Sequence, residues 1–456
     1  MAGSDSSGGA GIQADLKTFA AHHLTGLSVI TSVTSQNSSG VHGRYDLPPE
    51  VVEEQLRAVF EEGRPSAVKT GMLGNDAVVE CLVRFLKRKR VKNLVVDPII
   101  RSSGRKVLLS QKGVRKMVAK LFPLALLVTP NISEAEELSG LKVRTPSDRL
   151  RAAQAIFKTG AKNVLIKGGH LKGDPEDFFF DGKKSWALPA KRINNRDLHG
   201  TGCVLSAAIA ANLAQGEGLV KAVRKAGDFV RESIAGAMSL GEGGAGVEPL
   251  SSLYKNEERY ELIQRVANAV EKLKESRIGK LIPEVQSNIG VGVSGARGPE
   301  DVVAIPGRII RNGDDIVTIA SPRFGASQHV AKIALTVMSF DPSRRAVMNI
   351  RFAKSLLEVC RKLKFKVASF NREDEPHRVK QLEGSSLEWG TEKAIKECGF
   401  VPDVIYDLGG QGKEEMIRVI ATDVESLVEK ILKIHRMACK KTKAGKKPEK
   451  DDWRTW

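Results

Sequence analysis

The chain has 456 residues, of which 41% are hydrophobic, a length that predicts two domains rather than one core. Its formal net charge of +18 raises the question of nucleic-acid binding, but an aromatic content of 5% argues against a single-strand binder, and much of the excess lies in the tail at 439–450. The five cysteines are scattered and indicate neither a zinc site nor a disulfide framework. The sequence has no apolar segment of membrane length and no secretory leader. We therefore expect a cytoplasmic protein with no membrane partner and no specific nucleic-acid partner.

A glycine- and serine-rich loop opens the chain and leads directly into a predicted helix at residues 16–23. This composition is also typical of flexible linkers, but linkers are rarely followed at once by an amphipathic helix. A β-branched run at residues 26–34 then predicts a strand that ends in the polar residues 35–38. Because ligands of open α/β sheets bind at the carboxyl ends of strands, these polar residues are candidate ligand contacts.

Strands and helices continue to alternate up to about residue 170. Residues 66–74, 93–98, 125–134 and 163–170 each begin as a short apolar strand and end in glycine or polar residues. This alternation predicts an α/β fold with a mostly parallel central sheet flanked by helices. The polar clusters should therefore gather at one edge of the sheet.

A glycine-rich turn at residues 199–203 precedes a helix of small residues. Its backbone N–H groups and the positive end of the helix dipole are suited to hold an anion. The same dipole would favour the thiolate of Cys203, which lies in the first turn. A plain tight turn and a cysteine that acts only as a small apolar residue are the alternatives.

Residues 1–250 resemble the hydroxymethylpyrimidine and hydroxymethylpyrimidine-phosphate kinases of thiamine biosynthesis, which have a ribokinase-like fold. The matching stretches follow the family's order: Ala2 to Thr18, Lys69-Thr70-Gly71-Met72-Leu73, Val96-Asp97-Pro98, Thr129-Pro130-Asn131, Lys167-Gly168-Gly169-His170 and His199-Gly200-Thr201-Gly202-Cys203. The resemblance implies ATP and Mg²⁺ as cofactors. A pyridoxal-type kinase is the nearest alternative for the substrate.

The resemblance also implies roles for individual residues. Gln36 would hydrogen-bond the aminopyrimidine, with Gly3, Asp15 and Met72 around the same pocket, although Met72 could be ordinary core. The residues implied at the nucleotide are Lys167 and Asn131 at the phosphates, Gly200, Thr201 and Gly202 as the anion hole, Cys203 as the base, and Glu134 and Asp97 at the metal. The alternatives are an exposed helix carboxylate for Glu134 and a turn residue for Asp97. His199 is expected to be structural.

The beginning of the chain departs from this family. The family has an apolar strand ahead of Ala2-Gly3-Ser4-Asp5, whereas this chain begins at Met1. We therefore expect either a start that is assigned too far downstream or a sheet without this inner strand, which would expose apolar neighbours at a cost of several kcal/mol.

The second half is predicted to be a separate, smaller α/β domain. A glycine-rich breaker closes the first domain, so we expect domain boundaries at 1–250 and 258–436, a linker at 251–257 and a basic, disordered tail at 437–456. This half resembles the archaeal-type thiamine-phosphate synthase domain. The matching stretches lie at 280–288, 301–309, 322–329, 348–352, 402–407 and 412–414.

The synthase resemblance implies a site for a pyrimidine pyrophosphate and a thiazole phosphate. Arg308 would stabilise the pyrophosphate and His329 would orient or neutralise it, with Arg323, Asn349 and Arg351 as second-tier candidates. A solvated surface arginine and a satisfied helix histidine are the alternatives. A non-catalytic domain that senses thiamine phosphate is the alternative function, but such sensors accompany a DNA-binding module, and the first half is fully used by the kinase.

The sequence thus predicts a bifunctional enzyme. It would phosphorylate hydroxymethylpyrimidine twice and then join the pyrophosphate to thiazole phosphate, giving thiamine phosphate and releasing pyrophosphate. Its partners would be these small molecules, and we expect a homo-oligomer.

Overall fold

The computed structural model describes residues 1–443 except 38, 103, 105, 170–172, 194–197, 240–244, 377–385 and 411. The chain divides into two compact units, Met1–Tyr254 and Lys255–Trp456, which we call the first and second unit. In the part of the chain that is described, no helix is long and apolar enough to cross a membrane.

The first unit is an α/β fold, as predicted. Its strands are β1 (Ala2–Asp5), β2 (Ile30–Asn37), β3 (Gly40–Asp46), β4 (Val68–Thr70), β5 (Leu94–Val96), β6 (Leu127–Val128), β7 (Val164–Ile166), β8 (Glu176–Phe180), β9 (Ser185–Pro189), β10 (Met238–Ser239) and β11 (Ala245–Gly246). Its helices are α1 (Gly11–Ala21), α2 (Pro49–Glu61), α3 (Asp76–Lys89), α4 (Gln111–Lys116), α5 (Ile132–Ser139), α6 (Pro146–Phe157), α7 (Thr201–Ala214) and α8 (Leu219–Ala235).

The main sheet of this unit has the order β4-β5-β6-β7-β8-β9, with β4 to β7 parallel and β8 and β9 antiparallel. Successive side chains of β5 point to opposite faces: Leu94 and Val96 join the core with α2 and α3, whereas Val95 packs with α7 and α8. Helices therefore cover both faces of the parallel strands, and the polar residues that follow these strands meet at one edge.

A second sheet, β1-β2-β3, adjoins the first through the start of the chain. The Met1 ammonium donates to the Lys69 carbonyl, and the Met1 carbonyl accepts from the Gly71 N–H, both at 2.9 Å. The strand β1 is formed by Ala2–Asp5 itself, the segment that the family's apolar strand would precede, and a cavity of about 180 Å³ lies beside Met1. The strand expected at 26–34 is shifted to Ile30–Asn37, because the polar residues after Thr34 pair with β3 and do not end the strand.

The second unit is also an α/β structure. Its strands are β12 (Ile289–Gly292), β13 (Val302–Ala304), β14 (Ile309–Asn312), β15 (Asp315–Thr318), β16 (Arg323–Phe324), β17 (Ala346–Arg351), β18 (Val367–Ser369), β19 (Val404–Asp407) and β20 (Met416–Ala421). The helices of this part are α9 (Ser251–Glu275), α10 (Gln328–Phe340), α11 (Lys354–Lys362), α12 (Ser386–Cys398) and α13 (Val424–Lys443).

The large sheet of the second unit has the order β16-β13-β12-β17-β20-β19-β18, with only β18 and β19 parallel among these neighbours. Along β17, Met348 and Ile350 pack with α9, α11 and α13, whereas Val347 packs with α10 and α12. The sheet is therefore buried on both faces.

The ends of the second domain differ in part from the expectation. Residues 251–257, expected as a linker, contain the boundary between the two units, and they are helical as the first turns of α9. The tail expected to be disordered from residue 437 continues α13 as far as Lys443, and its first residues Met437 and Ala438 pack against the core of the second unit. The remainder of the tail lies outside the described residues.

Candidate active sites

The glycine turn at residues 200–203, expected to form an anion pocket, begins α7. Gly200 caps α7 with φ of 93°, and a side chain there would overlap the Gly9 carbonyl oxygen, so glycine is required. Gly200 has no side chain that could cap α7, so the N–H groups of its first turn are suited to bind a ligand. A Cβ at Gly202 would lie 3.1 Å from Lys167 Nζ, which places this ammonium at the helix N-terminus.

Lys167 is held beside the pocket by Asp97. Asp97 accepts hydrogen bonds from Lys167 Nζ at 2.6 Å, Ser206 Oγ at 3.1 Å and Thr129 Oγ1 at 3.4 Å. Burial lowers the pKa of Lys167, but the carboxylates of Asp97 and Glu134 more than offset it and the pKa lies above its usual value. The ammonium is therefore a fixed positive charge at the point where phosphates would meet α7.

Asn131 and Glu134 form a capping box at the start of α5. The Asn131 side chain accepts from the Glu134 N–H and the Glu134 carboxylate accepts from the Asn131 N–H, both at 2.8 Å. Burial raises the pKa of Glu134 to about 7, although Lys167 acts in the opposite direction. Glu134 is therefore not the exposed helix carboxylate considered from the sequence.

The predicted Mg²⁺ site would need phosphate oxygens of the nucleotide as ligands in addition to the protein carboxylates. Among the described residues no cluster of three or more His, Cys, Asp or Glu could hold an ion. Mg²⁺ typically uses one or two carboxylates together with nucleotide phosphates. Glu134 and Asp97 match that donor set, and an arriving cation would offset the burial that raises the pKa of Glu134.

Gln36, the residue expected to bind the pyrimidine, is linked to His199. The Gln36 side-chain amide is 2.8 Å from His199 Nε2, which is 3.1 Å from Asp5 Oδ2. Burial raises the pKa of Asp5, but hydrogen bonds from His199 and Ser7 outweigh it and hold the pKa at about 2. His199 therefore connects Asp5 of the first glycine loop to the side chain of Gln36.

Gly3 and Met72 are adjacent as predicted, since a Cβ at Gly3 would lie 3.0 Å from Met72 Sδ. Asp15, however, is turned inward. Its two carboxylate oxygens accept from Lys69 Nζ at 2.8 and 2.9 Å, and both side chains are almost fully buried. Sequence reasoning missed Lys69 as a partner, although a lysine within a short buried strand requires an acid nearby.

Cys203 differs from its expectation. Burial raises the pKa of its thiol to about 11, although the Lys69 ammonium lowers it. The helix position alone predicted a lowered pKa, but the loss of solvation is the larger effect here. The residue is thus a thiol at neutral pH.

A large cavity of about 510 Å³ adjoins Lys167 and the first turn of α7. Its wall includes apolar side chains such as Leu205 and Val230 and the cations Arg224 and Arg231. This size and composition are typical of a site for an organic ligand, and its phosphate end would meet α7.

In the second unit, the predicted residues gather at one end of the large sheet. Strand register places Arg323 opposite Ala304, Asn349 beside Asn288, and Arg351 opposite Met416. Arg308 follows β13 at the same end. His329 is exposed in the first turn of α10, whose Val330 packs over Gly290 near the start of β12.

Hydrogen bonds fix the loops at this end. The Asn349 side chain accepts from Asn288 N–H at 2.8 Å and donates to the Gln286 carbonyl at 3.0 Å. Asn288 in turn holds the Ile305 backbone through both ends of its amide. Sequence reasoning missed Asn288, for which a polar residue just before a buried strand was the available signal.

Arg308 has the left-handed φ of 73°, and its Nη1 donates to the Val285 carbonyl at 2.6 Å. Arg323, Arg351 and His329 are exposed. The end of the sheet therefore offers several cations and a helix N-terminus that the Ser327 side chain does not cap, which together suit two phosphorylated ligands.

Comparisons with known proteins identify the family of each half of the chain. The family model for phosphomethylpyrimidine kinase matches residues 5–248, and that for the thiamine-phosphate synthase ThiN matches residues 265–433. The bifunctional thiamine biosynthesis protein ThiDN of Methanocaldococcus jannaschii is 35% identical over 441 residues, which are 96% of this chain and 98% of that protein. The hydroxymethylpyrimidine/phosphomethylpyrimidine kinase of Aquifex aeolicus is 41% identical over 53% of this chain and 96% of its own length.

Solved structures support the fold of the first unit. The ADP complex of Bacillus subtilis pyridoxal kinase has a TM-score of 0.52 at 33% identity and covers 56% of this chain and 96% of that one. Pyridoxal kinase of Staphylococcus aureus with pyridoxal also reaches 0.52 at 33% identity, over 55% of this chain and 92% of its own. The first unit is thus a ribokinase-like, ATP-dependent kinase. The chain belongs to the bifunctional thiamine biosynthesis proteins, in which a hydroxymethylpyrimidine/phosphomethylpyrimidine kinase is joined to a ThiN-type thiamine-phosphate synthase.

Proposed function

We propose that the first unit transfers phosphoryl groups at the junction of Lys167 and the start of α7. The observation that carries this proposal is the Lys167 ammonium at the N-terminus of α7, beside the large cavity. The nucleotide would occupy that cavity with its phosphates at Gly200, Thr201 and Gly202. The fixed positive charge and the N–H groups of the first turn of α7 would stabilise the charge that develops on the transferred group.

Mg²⁺ would be held by Glu134 and Asp97 together with the phosphates, where it would supply charge neutralisation. Asn131 would act by keeping Glu134 in place through the capping box. Gln36 would bind the pyrimidine, with His199 setting its direction and Gly3 and Met72 forming the wall.

In the first phosphorylation, the substrate hydroxyl oxygen forms a bond to the γ-phosphorus while the bond to the bridging oxygen of ADP breaks. The hydroxyl proton needs an acceptor, and Cys203 can accept it only as a thiolate. In the second phosphorylation the attacking group is a phosphate oxygen, which is already deprotonated at neutral pH because its second pKa is near 6. Cys203 would therefore serve the first step more than the second.

For the second unit we propose that Arg308 holds the pyrophosphate of the pyrimidine substrate while His329 orients it. The carbon–oxygen bond to pyrophosphate breaks, the thiazole nitrogen forms the new bond, and pyrophosphate leaves with the electron pair. Arg323, Asn349 and Arg351 lie at the same end of the sheet and would complete the binding of the two phosphorylated substrates.

The test supplies the full chain with hydroxymethylpyrimidine, ATP, Mg²⁺ and thiazole phosphate, beside an Arg308→Ala/His329→Ala variant. We expect thiamine phosphate from the parent and accumulation of pyrimidine pyrophosphate in the variant. A parent that stops at pyrimidine pyrophosphate would instead indicate a thiamine-phosphate sensor. Faster ATP consumption with pyridoxal than with hydroxymethylpyrimidine would contradict the substrate assignment.

A further inference from the structure

The carboxylate of Glu414, in the second unit, accepts hydrogen bonds from two consecutive backbone N–H groups. Its Oε1 accepts from the Glu284 N–H and its Oε2 accepts from the Val285 N–H, both at 3.0 Å. Hydrogen bonds of an ionised carboxylate to backbone N–H groups are about twice as strong as neutral ones. Both oxygens of this half-buried side chain therefore hold one loop, residues 284–286.

The same loop directs Arg308. The Val285 carbonyl accepts from Arg308 Nη1 at 2.6 Å. Val285 is thus hydrogen-bonded both to Glu414, through its N–H, and to the Arg308 guanidinium, through its carbonyl. Arg308 follows Gly307 in a left-handed turn, with φ values of 73° and 70°. A non-glycine residue in this conformation stores strain that surrounding contacts must maintain.

Arg308 donates to a neutral backbone carbonyl and not to a carboxylate. Within the described residues no Asp or Glu forms an ion pair with Arg308, whereas many other arginines of this unit do. Its positive charge is thus oriented without being neutralised by a carboxylate. An arginine held in this way remains available for an anionic ligand.

The other side of the loop is fixed independently. Gln286, with φ of 67°, accepts from Asn349 through its carbonyl at 3.0 Å and from the Arg311 N–H through its side chain at 2.8 Å. These contacts would persist if residue 414 changed. A substitution of Glu414 should therefore alter the position of Val285 while the rest of the loop stays in place.

We infer that Glu414 is a positioning residue that aims the Arg308 guanidinium at the pyrophosphate of the substrate through the Val285 carbonyl. This inference rests on the proposed function of Arg308. Glu414→Gln removes one of two acceptors, because the amide offers a single oxygen and turns its NH₂ toward a backbone N–H. The loop should then shift, and Arg308 should lose its direction without losing its charge.

The first experiment measures binding of inorganic pyrophosphate to the full chain by calorimetry. We expect Glu414→Gln to weaken this binding about tenfold, the loss expected for one charge-assisted hydrogen bond. Glu415→Gln, a neighbouring exposed carboxylate, is the matched control and should bind as the parent does. In steady-state assays the KM for pyrimidine pyrophosphate should rise in parallel, with the KM for thiazole phosphate unchanged.

A double-variant cycle tests the route through Arg308. Arg308→Ala should weaken pyrophosphate binding, and adding Glu414→Gln to it should cause little further loss, because the residue that Glu414 positions is already absent. Full additivity of the two losses, or parent-like affinity in Glu414→Gln, would overturn the inference.

Folding and function are separated by two further readouts. Glu414→Asp retains the carboxylate and should recover part of the affinity, whereas an equal loss in both variants, or a lowered melting temperature of the second unit, would assign Glu414 a merely structural role. A parent that makes no thiamine phosphate would overturn the proposed function, and the pyrophosphate affinities would still decide the role of Glu414.

Discussion

The chemistry of Cys203 depends on two opposing effects at one residue. Its place in the first turn of α7 favours a thiolate, but burial raises the pKa of the thiol to about 11. At Gly200, by contrast, no opposing effects compete, because its role follows directly from a turn that only glycine can form. Local backbone requirements could thus be predicted from the sequence, whereas the protonation state of a buried side chain could not.

Cys203→Ala should separate the two phosphorylations. We expect the first to slow by about 10²–10⁴, the usual contribution of a general base, and the second to change by less than about tenfold. In the parent, the first rate should rise with pH toward about 11, because the thiolate fraction of Cys203 increases with pH. Initial rates with each pyrimidine substrate measure both effects.

Cys81→Ala, which alters another buried cysteine, is the control and should keep both rates. Equal losses in the two steps for Cys203→Ala would mean that the residue shapes the pocket and does not accept the proton.

At the scale of elements, α1 and β4 are joined by the buried pair of Asp15 and Lys69. The motifs containing both residues could be recognised in the sequence, but their pairing could not, because they lie 54 positions apart. The parallel order of β4 to β7 was predictable, since alternating strands and helices leave few other arrangements. The shift of β2 was not, because its polar end is stabilised by pairing with β3.

Lys69→Met should destabilise the first unit by about 3–5 kcal/mol, because it leaves the Asp15 carboxylate buried without its partner. Urea unfolding followed by circular dichroism measures this loss. Lys17→Met removes a partly exposed ammonium from α1, the helix that carries Asp15, and should cost less than about 1 kcal/mol.

The double variant Asp15→Leu/Lys69→Met removes both charges and should be more stable than Lys69→Met alone. If it is no more stable, the loss in Lys69→Met comes from packing and not from the unpaired carboxylate.

At the scale of the whole molecule, each unit has its own sheet and its own cores. The two-domain organisation follows from length and from the change of motifs near residue 250. The conformation of the chain at the boundary could not be predicted in this way, because residues 251–257 form the start of α9.

Separate expression of residues 1–250 and 251–456 tests this independence. Since each unit buries its own apolar core, we expect the first piece to phosphorylate hydroxymethylpyrimidine, and the second to form thiamine phosphate from pyrimidine pyrophosphate and thiazole phosphate, each within about tenfold of the parent rate. Insolubility or inactivity of either piece, while the full chain is active, would show that the units depend on one another.

The sequence by itself determined the family and the α/β class of both units, because glycine turns, strand ends and basic motifs are local patterns with local physical causes. Only the tertiary structure decided that Cys203 is a thiol, that Asp15 faces Lys69, and that Glu414 reaches the backbone of Val285 across 129 positions of the chain. These properties arise from burial and from contacts between distant segments, and neither exists until the chain has folded.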